Sequence, residues 1–198
     1  MGVASQFDRL TSRSTLFQAF ERVRSRGGCR GCDGVSLGSF ERDLQRQLDR
    51  IQDRLLRRVY HPLPLLRFPI RKKSGGQRFL SVPTVRDRIV QAAVYLVTQE
   101  IFEAEFEESS HAYRPGRSVR TAVAQIRELR DAGHRFVIDA DIEGFFDNIS
   151  HSLLLERLSY LPLEPYLLEM FERWVRAEVF RHHSISRPTW SSSTAGEP

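Results

Sequence analysis

The stretch RFVIDADIEGFFDNIS, residues 135–150, places Asp139, Asp141 and Asp147 within nine positions, two of them at the end of an apolar run. Carboxylates beside Phe136, Val137 and Ile138 repel one another and lose hydration unless something offsets them. The run is short, apolar and β-compatible, so it predicts a strand that leaves Asp141 near its end, with Phe145 and Phe146 four and five residues further on. A carboxylate at such a strand end, with a second one nearby, is the kind of donor that a hard cation such as magnesium takes. Asp139 and Asp147 have ordinary alternatives, as a strand-side polar residue and as a turn former in FFDNIS. For Asp141 the ordinary reading is harder to sustain, because an unpaired carboxylate beside an apolar strand is costly.

Working outward towards the N-terminus, the turn DAGH, residues 131–134, separates this strand from a helix. Val119, Ala122, Val123, Ile126 and Leu129 fall at helical spacing in that helix, and Ser118 stands where a cap is needed. Ahead of it, in the loop EESSHAYRPGRS, Arg114 and Arg117 flank a Pro-Gly turn just before a helix N-terminus, an arrangement suited to a phosphate but equally explained by capping and surface charge. Further upstream, LLRFPI and RFLSVP are short β-compatible segments joined by RKKSGG, which predicts a hairpin with a cationic tip. Arg71, Lys72, Lys73 and Arg78 surround Gly75 and Gly76 there, and glycines let a backbone approach a ligand while cations neutralise phosphates. A solvated turn accounts for that motif about as well. Thr84 with Asp87 three residues on predicts the start of a helix through Ile89, Ala93, Leu96 and Ile101.

Nearer the N-terminus, residues 12–26 read as a short helix, GGCRGCDG as a turn, and Phe40, Leu44, Leu48, Ile51, Leu55 and Val59 as the buried stripe of a longer helix with a basic opposite face. Cys29 and Cys32 have CxxC spacing, but no second pair and no nearby histidine completes a zinc set, so two reduced thiols in a glycine-rich turn is the preferred reading. Beyond the deciding stretch, helices are expected near 151–158 and 163–180. The last 18 residues, rich in serine and poor in aliphatics, read as a disordered or aberrant tail.

Composition narrows the classes. At 198 residues and 40% hydrophobic the chain is globular rather than disordered, and no run is long and apolar enough to cross a bilayer. The N-terminus lacks the apolar region of a signal peptide, so a cytoplasmic location is expected. The net charge of +5 comes from 30 Lys and Arg against 25 Asp and Glu, and Lys72 and Lys73 are the only lysines. Arginine suits bidentate contact with phosphates and stacking on bases, which admits a polyanionic partner.

Read in order, GCDGVS, FPIRKKSGGQRFLSVPTVRDRIVQAAV, FEAEFEESSHAYRPGRSVRTAV and FVIDADIEGFFDNISH resemble the fingers and first palm motifs of bacterial reverse transcriptases related to group II intron proteins, CRISPR-associated relatives included. The resemblance runs from Gly28 to Leu158, roughly two thirds of the chain. It implies an α+β fold, with helical fingers, a small β hairpin and the first part of a right-hand palm. The expected organisation is an N-terminal extension over 1–34, fingers over 35–132, a partial palm over 133–180 and the tail over 181–198.

By the same resemblance, Asp141 matches the first catalytic aspartate, a ligand of both magnesium ions, and the carbonyl of Ile142 is a further ligand. Phe146 matches the bulky gate that excludes a 2′-hydroxyl. Lys72 and Arg78 match cations that grip the incoming triphosphate. Arg71, Lys73, Arg114 and Arg117 fall on the path of nucleic acid. The implied partners are an RNA template, a DNA primer and deoxynucleoside triphosphates, with no membrane. Nucleotidyl transfer by two metals needs several bridging carboxylates. This sequence contains neither a QGSP-like segment, nor a YADD-like hairpin, nor any adjacent pair of aspartates. The expectation is therefore a truncated RNA-directed DNA polymerase, inactive alone. The alternatives are a non-catalytic RNA-binding fragment that keeps the basic fingers, and a protein whose missing half comes from another chain.

Overall fold

The computed structural model describes residues 4–71 and 75–181. Lys72 and Lys73, and the tail expected from 182 onward, lie outside the described residues. The architecture is α+β, eight α-helices and one small sheet among the described residues, arranged as two compact units. One unit extends to Val97 and resumes at Leu163; the other is Thr98–Pro162. No described helix is long and apolar enough to cross a membrane.

In the first unit, α1 (Gln6–Thr11) opens on a reciprocal cap between Ser5 and Asp8. Its exposed N–H groups find a second partner far along the chain. The Glu164 carboxylate accepts from the N–H of Gln6 at 2.6 Å and of Phe7 at 3.0 Å, while the N–H of Glu164 donates to the Gln6 side chain at 2.9 Å. A negative charge at a helix N-terminus is favoured by the helix dipole. After α1, α2 (Arg13–Arg26) buries Leu16, Ala19, Phe20 and Val23 at steps of three and four. The single helix expected over 40–59 is two: α3 (Leu37–Arg42) and α4 (Leu44–Leu56) break at Asp43, whose backbone leaves the helical region. The predicted stripe is nonetheless buried at Phe40, Leu48, Ile51 and Leu55.

The hairpin forms as expected. Strand β1 (Leu65–Arg71) pairs antiparallel with β2 (Gln77–Val82), and Gly75 and Gly76 supply the positive φ that the turn requires. A third strand comes from a segment expected to be helical. Helix α8 (Pro165–Val175) ends at Val175, and β3 (Val179–Arg181) pairs parallel with Leu65–Arg67, giving the order β2-β1-β3. The β-branched and aromatic residues at 179 and 180 satisfy the free edge of β1, a long-range option that helical periodicity does not report.

In the first turn of the long α5 (Val85–Ala104), just after the hairpin, sits a buried carboxylate, Asp87, 1% exposed. Its oxygens accept from the Tyr60 hydroxyl at 2.9 Å, the Leu63 N–H at 3.0 Å, the Thr84 hydroxyl at 2.7 Å and the Arg86 guanidinium at 2.8 Å. Thr84 in turn accepts from the Asp87 N–H at 3.1 Å, the predicted cap. Arg173 of α8 donates to the Tyr60 carbonyl at 2.6 Å, and Trp174 to its hydroxyl at 3.3 Å. A buried charge so fully bonded is stable where it stands, and it fixes the chain that enters β1 to the helix that leaves β2. Burial and the Asp87 charge hold the Tyr60 phenol well above the ordinary tyrosine range.

The CRGC turn is fixed to the same helix. Arg88 of α5 donates to the carbonyls of Gly27 at 3.0 Å and Cys29 at 2.8 Å. A Cβ on Gly31 would stand 2.6 Å from the Thr84 Cα, so only glycine lets the turn lie this close to the start of α5. Cys29 and Cys32 are free and half-buried, and burial pushes the Cys32 thiol up.

The second unit contains the end of α5, α6 (Val119–Asp131), a 3₁₀ turn (Phe145–Asn148) and α7 (His151–Ser159). Helix α6 forms where predicted but buries none of its residues. The strand expected over FVIDADI does not form: residues 135–142 adopt no regular structure, and Phe136, Val137 and Ile138 are exposed. A strand this apolar on both faces needs neighbours on both edges and layers above and below, and the described part of this unit contains no other strand to pair with it.

Candidate functional site

The expected site residues divide between the two units. In the first, the hairpin carries Arg71 and Arg78 on its two strands. The register pairs Arg71 with Gln77 and Ile70 with Arg78. Since side chains alternate along a strand, Arg71 and Arg78 stand on opposite faces of the ribbon. Arg78 shares its face with Phe68 and Leu80, whereas Arg71 shares its face with Arg67 and Phe79. The guanidinium of Arg67 lies 4.8 Å from the centre of the Phe79 ring. Neither Arg67 nor Phe79 stands out in the sequence. The available signal was alternation: in QRFLSV a phenylalanine falls on the same side as glutamine and serine, where a polar residue is the norm.

In the second unit the loop from Glu105 to Ser118 is built around Arg114. Its guanidinium is buried and bonded through all three nitrogens, donating to Glu103 at 2.6 and 2.9 Å and to the carbonyls of Glu107 at 2.7 Å and Ser110 at 3.0 Å. The Phe106 ring lies 5.2 Å below it. Arg117 bonds the carbonyl and carboxylate of Glu108, whose carboxyl it holds below the usual range. His111 braces the loop on α6, 2.9 Å from the Thr121 hydroxyl and 2.7 Å from the Gln125 amide. Arg114 thus shapes the loop from inside, while Arg117 pairs with the exposed carboxylate of Glu108.

Asp141 is exposed on the irregular segment, with Asp139 two residues before it. Gly144 turns the chain in the left-handed region, with φ 60°, and starts the 3₁₀ turn. The Asn148 side chain closes that turn by donating to the carbonyls of Glu143 at 3.2 Å and Gly144 at 3.1 Å. Phe145 and Phe146 meet edge to face with centres 5.2 Å apart, and Phe146 is 78% exposed. The ring is not part of a core among the described residues. Among the described residues, no group of three or more His, Cys, Asp or Glu is placed to hold a metal ion. Asp141 and the carbonyl of Ile142 are two oxygen donors on an open segment, short of the set that two bridged cations need.

The reverse transcriptase (RNA-dependent DNA polymerase) family model matches residues 70–196, which takes in β2, α5, the Arg114 loop and the Asp141 segment. Protein YkfC of Escherichia coli (strain K12) is 38% identical over 130 residues, covering 64% of this chain and 34% of its own length. Group II intron-encoded protein LtrA of Lactococcus lactis subsp. cremoris is 30% identical over 165 residues, 83% of this chain and 26% of its own length. Nuclear intron maturase 1, mitochondrial, of Arabidopsis thaliana is 27% identical over 90 residues, 46% of this chain and 12% of its own length. The chain spans about a third or less of the length of these relatives. With more than half of its residues inside the family model and with intron-encoded proteins among its relatives, the chain belongs to the reverse transcriptase family, on its group II intron-like side.

Proposed function

We propose that this chain carries the fingers and the first palm segment of an RNA-directed DNA polymerase, acting on an RNA template, a DNA primer and deoxynucleoside triphosphates. The observation that carries the reading is the family match over residues 70–196, together with the exposed Asp141 standing just before the Gly144 turn and Phe146. In this reading Asp141 is a ligand to divalent ions, magnesium by the chemistry of carboxylate and carbonyl donors, and the carbonyl of Ile142 is a second donor. Phe146 presents its ring beneath the incoming sugar. Arg78, with Lys72, meets the triphosphate. Arg71, Lys73 and Arg117 line the nucleic-acid path, and Arg114 supports that path by holding the loop that presents Arg117.

Two metals held by one aspartate and one carbonyl are under-coordinated, so the 198 residues alone do not polymerise. The test is primer extension on an RNA template in magnesium or manganese. It compares the chain, its Asp141→Asn variant and a chimera extended with QGSP-like and YADD-like segments. Extension is expected from the chimera only, and lost when Asp141→Asn is introduced into it. Extension by the chain alone that disappears with Asp141→Asn would overturn the expected inactivity of these 198 residues. Extension by the chimera that survives Asp141→Asn would overturn the assignment of Asp141.

A further inference from the structure

The two faces of the hairpin differ in a way that the polymerase reading does not use. Leu66, Phe68, Ile70, Arg78, Leu80 and Val82 lie on one face by register, and Val82 is buried. Arg67, Pro69, Arg71, Gln77, Phe79 and Ser81 lie on the other. On this second face Phe79 is 59% exposed, a large apolar ring at a position where a half-buried ribbon turns polar residues to water. Arg67 is its diagonal neighbour, since Arg67 pairs with Ser81 and Pro69 with Phe79. Its guanidinium covers part of the ring from 4.8 Å and holds it. Arg71, exposed, follows on the same strand and the same face, next to the glycine turn.

We propose that this outer face, with Phe79 as the ring and Arg67 and Arg71 as the flanking cations, is a stacking platform for a base of single-stranded nucleic acid, separate from the Arg78 face. Such platforms combine an aromatic side chain, which accepts any base, with cations that follow the phosphates. The charge is complementary: both cations of the face are arginines, which pair with phosphate and stack on bases, and the chain as a whole is positive. The competing role is internal, a cross-strand Arg67–Phe79 pair that only stabilises the ribbon. The platform goes beyond the polymerase reading and shares with it the class of ligand and Arg71, whereas Phe79 and Arg67 belong to the platform alone.

The experiment is a titration of the 198-residue chain against two labelled strands of equal length and charge, oligouridylate and its abasic counterpart, followed by fluorescence anisotropy at several salt concentrations. Phe79→Ala should weaken binding of the base-bearing strand by about 5- to 100-fold and leave the abasic strand within about twofold. Phe79→Trp should restore the difference. Arg67→Gln with Arg71→Gln should lower the log-log salt slope by about 0.7 for each phosphate that no longer meets a cation. Equal binding of both strands by the unaltered chain, or a Phe79→Ala variant that melts earlier yet binds both strands as before, overturns the platform and leaves the internal role. Arg78→Ala in the same titration separates the two readings. It removes a cation of the polymerase face, and the preference for the base-bearing strand should survive it.

Discussion

Helices α5 and α6 are built from similar material and meet opposite fates. Along α5, Val85, Ile89, Val90, Ala93, Val94 and Val97 are all buried, at the spacing expected of an amphipathic helix against a core. Along α6, Val119, Val123, Ile126 and Leu129 follow the same spacing and all remain exposed. The irregular segment after α6 repeats the pattern, with Phe136, Val137 and Ile138 turned to water. Periodicity states which side of an element is fit for burial; what buries it is a separate fact, supplied by other parts of a molecule. In the first unit those parts are present: α2, α4 and α8 bring Phe20, Leu48, Ile51, Leu167 and Met170 into the core. In the second, no described element covers the stripe of α6.

The sharpest way to break this contrast is to remove one carboxylate from each unit. Asp87→Ala strands the Tyr60 hydroxyl, the Leu63 N–H and the Arg86 guanidinium, and should cost about 3–5 kcal/mol in urea or guanidinium unfolding. Asp141→Asn removes an exposed charge and should stay within about 0.5 kcal/mol of the parent. A cost at Asp141 approaching that at Asp87 would mean that the second unit has a core after all.

A matched pair of apolar truncations sharpens the same point at a smaller scale. Leu48→Ala empties a fully buried site and should cost about 2–5 kcal/mol, through lost transfer energy and the cavity left behind. Ile126→Ala trims a side chain that is 59% exposed and should change stability by less than about 0.5 kcal/mol, with helix propensity working in its favour. Comparable losses from the two would show the α6 stripe to be packed.

A loss smaller than those at Asp87 and Leu48 is expected at Tyr60, which also sets part of the alkaline limb of stability. The folded Tyr60 phenol is held above its ordinary value of 10.0 by burial and by Asp87, so the native state favours the neutral form. Its contribution is complete below pH 10 and is lost as the pH climbs past that value, because the unfolded phenol ionises first. Tyr60→Phe should cost about 1–2 kcal/mol at neutral pH from the lost hydrogen bond to Asp87. It should also flatten the decline of stability above pH 10 relative to the parent, measured by denaturant midpoint against pH. A decline unchanged by the substitution would assign the alkaline limb to other groups.

Much of the secondary structure was legible in the residues. The Gly75–Gly76 turn and its flanking β-compatible runs dictated the hairpin, Thr84 with Asp87 marked the start of α5, and the spacing of Leu48, Ile51 and Leu55 named the buried side of α4. These are local facts, set by backbone dihedrals, side-chain bonds within three residues and helical periodicity. The order of the motifs was also in the sequence, and it led to the family that the comparisons show. What the sequence left open concerned partners that are distant along the chain. The carboxylate of Glu164 on the first N–H groups of α1, the strand at 179–181 on the edge of β1, and the side chains from 60 to 174 gathered around Asp87 all join segments by tertiary proximity. Arg114 looked like a surface cation from its neighbours Pro115 and Gly116, and became an internal brace because Glu103 lies within reach on the preceding helix. The apolar run FVIDADI names a strand by its composition, yet a strand is completed by hydrogen bonds to another strand, and those are decided by the tertiary structure alone.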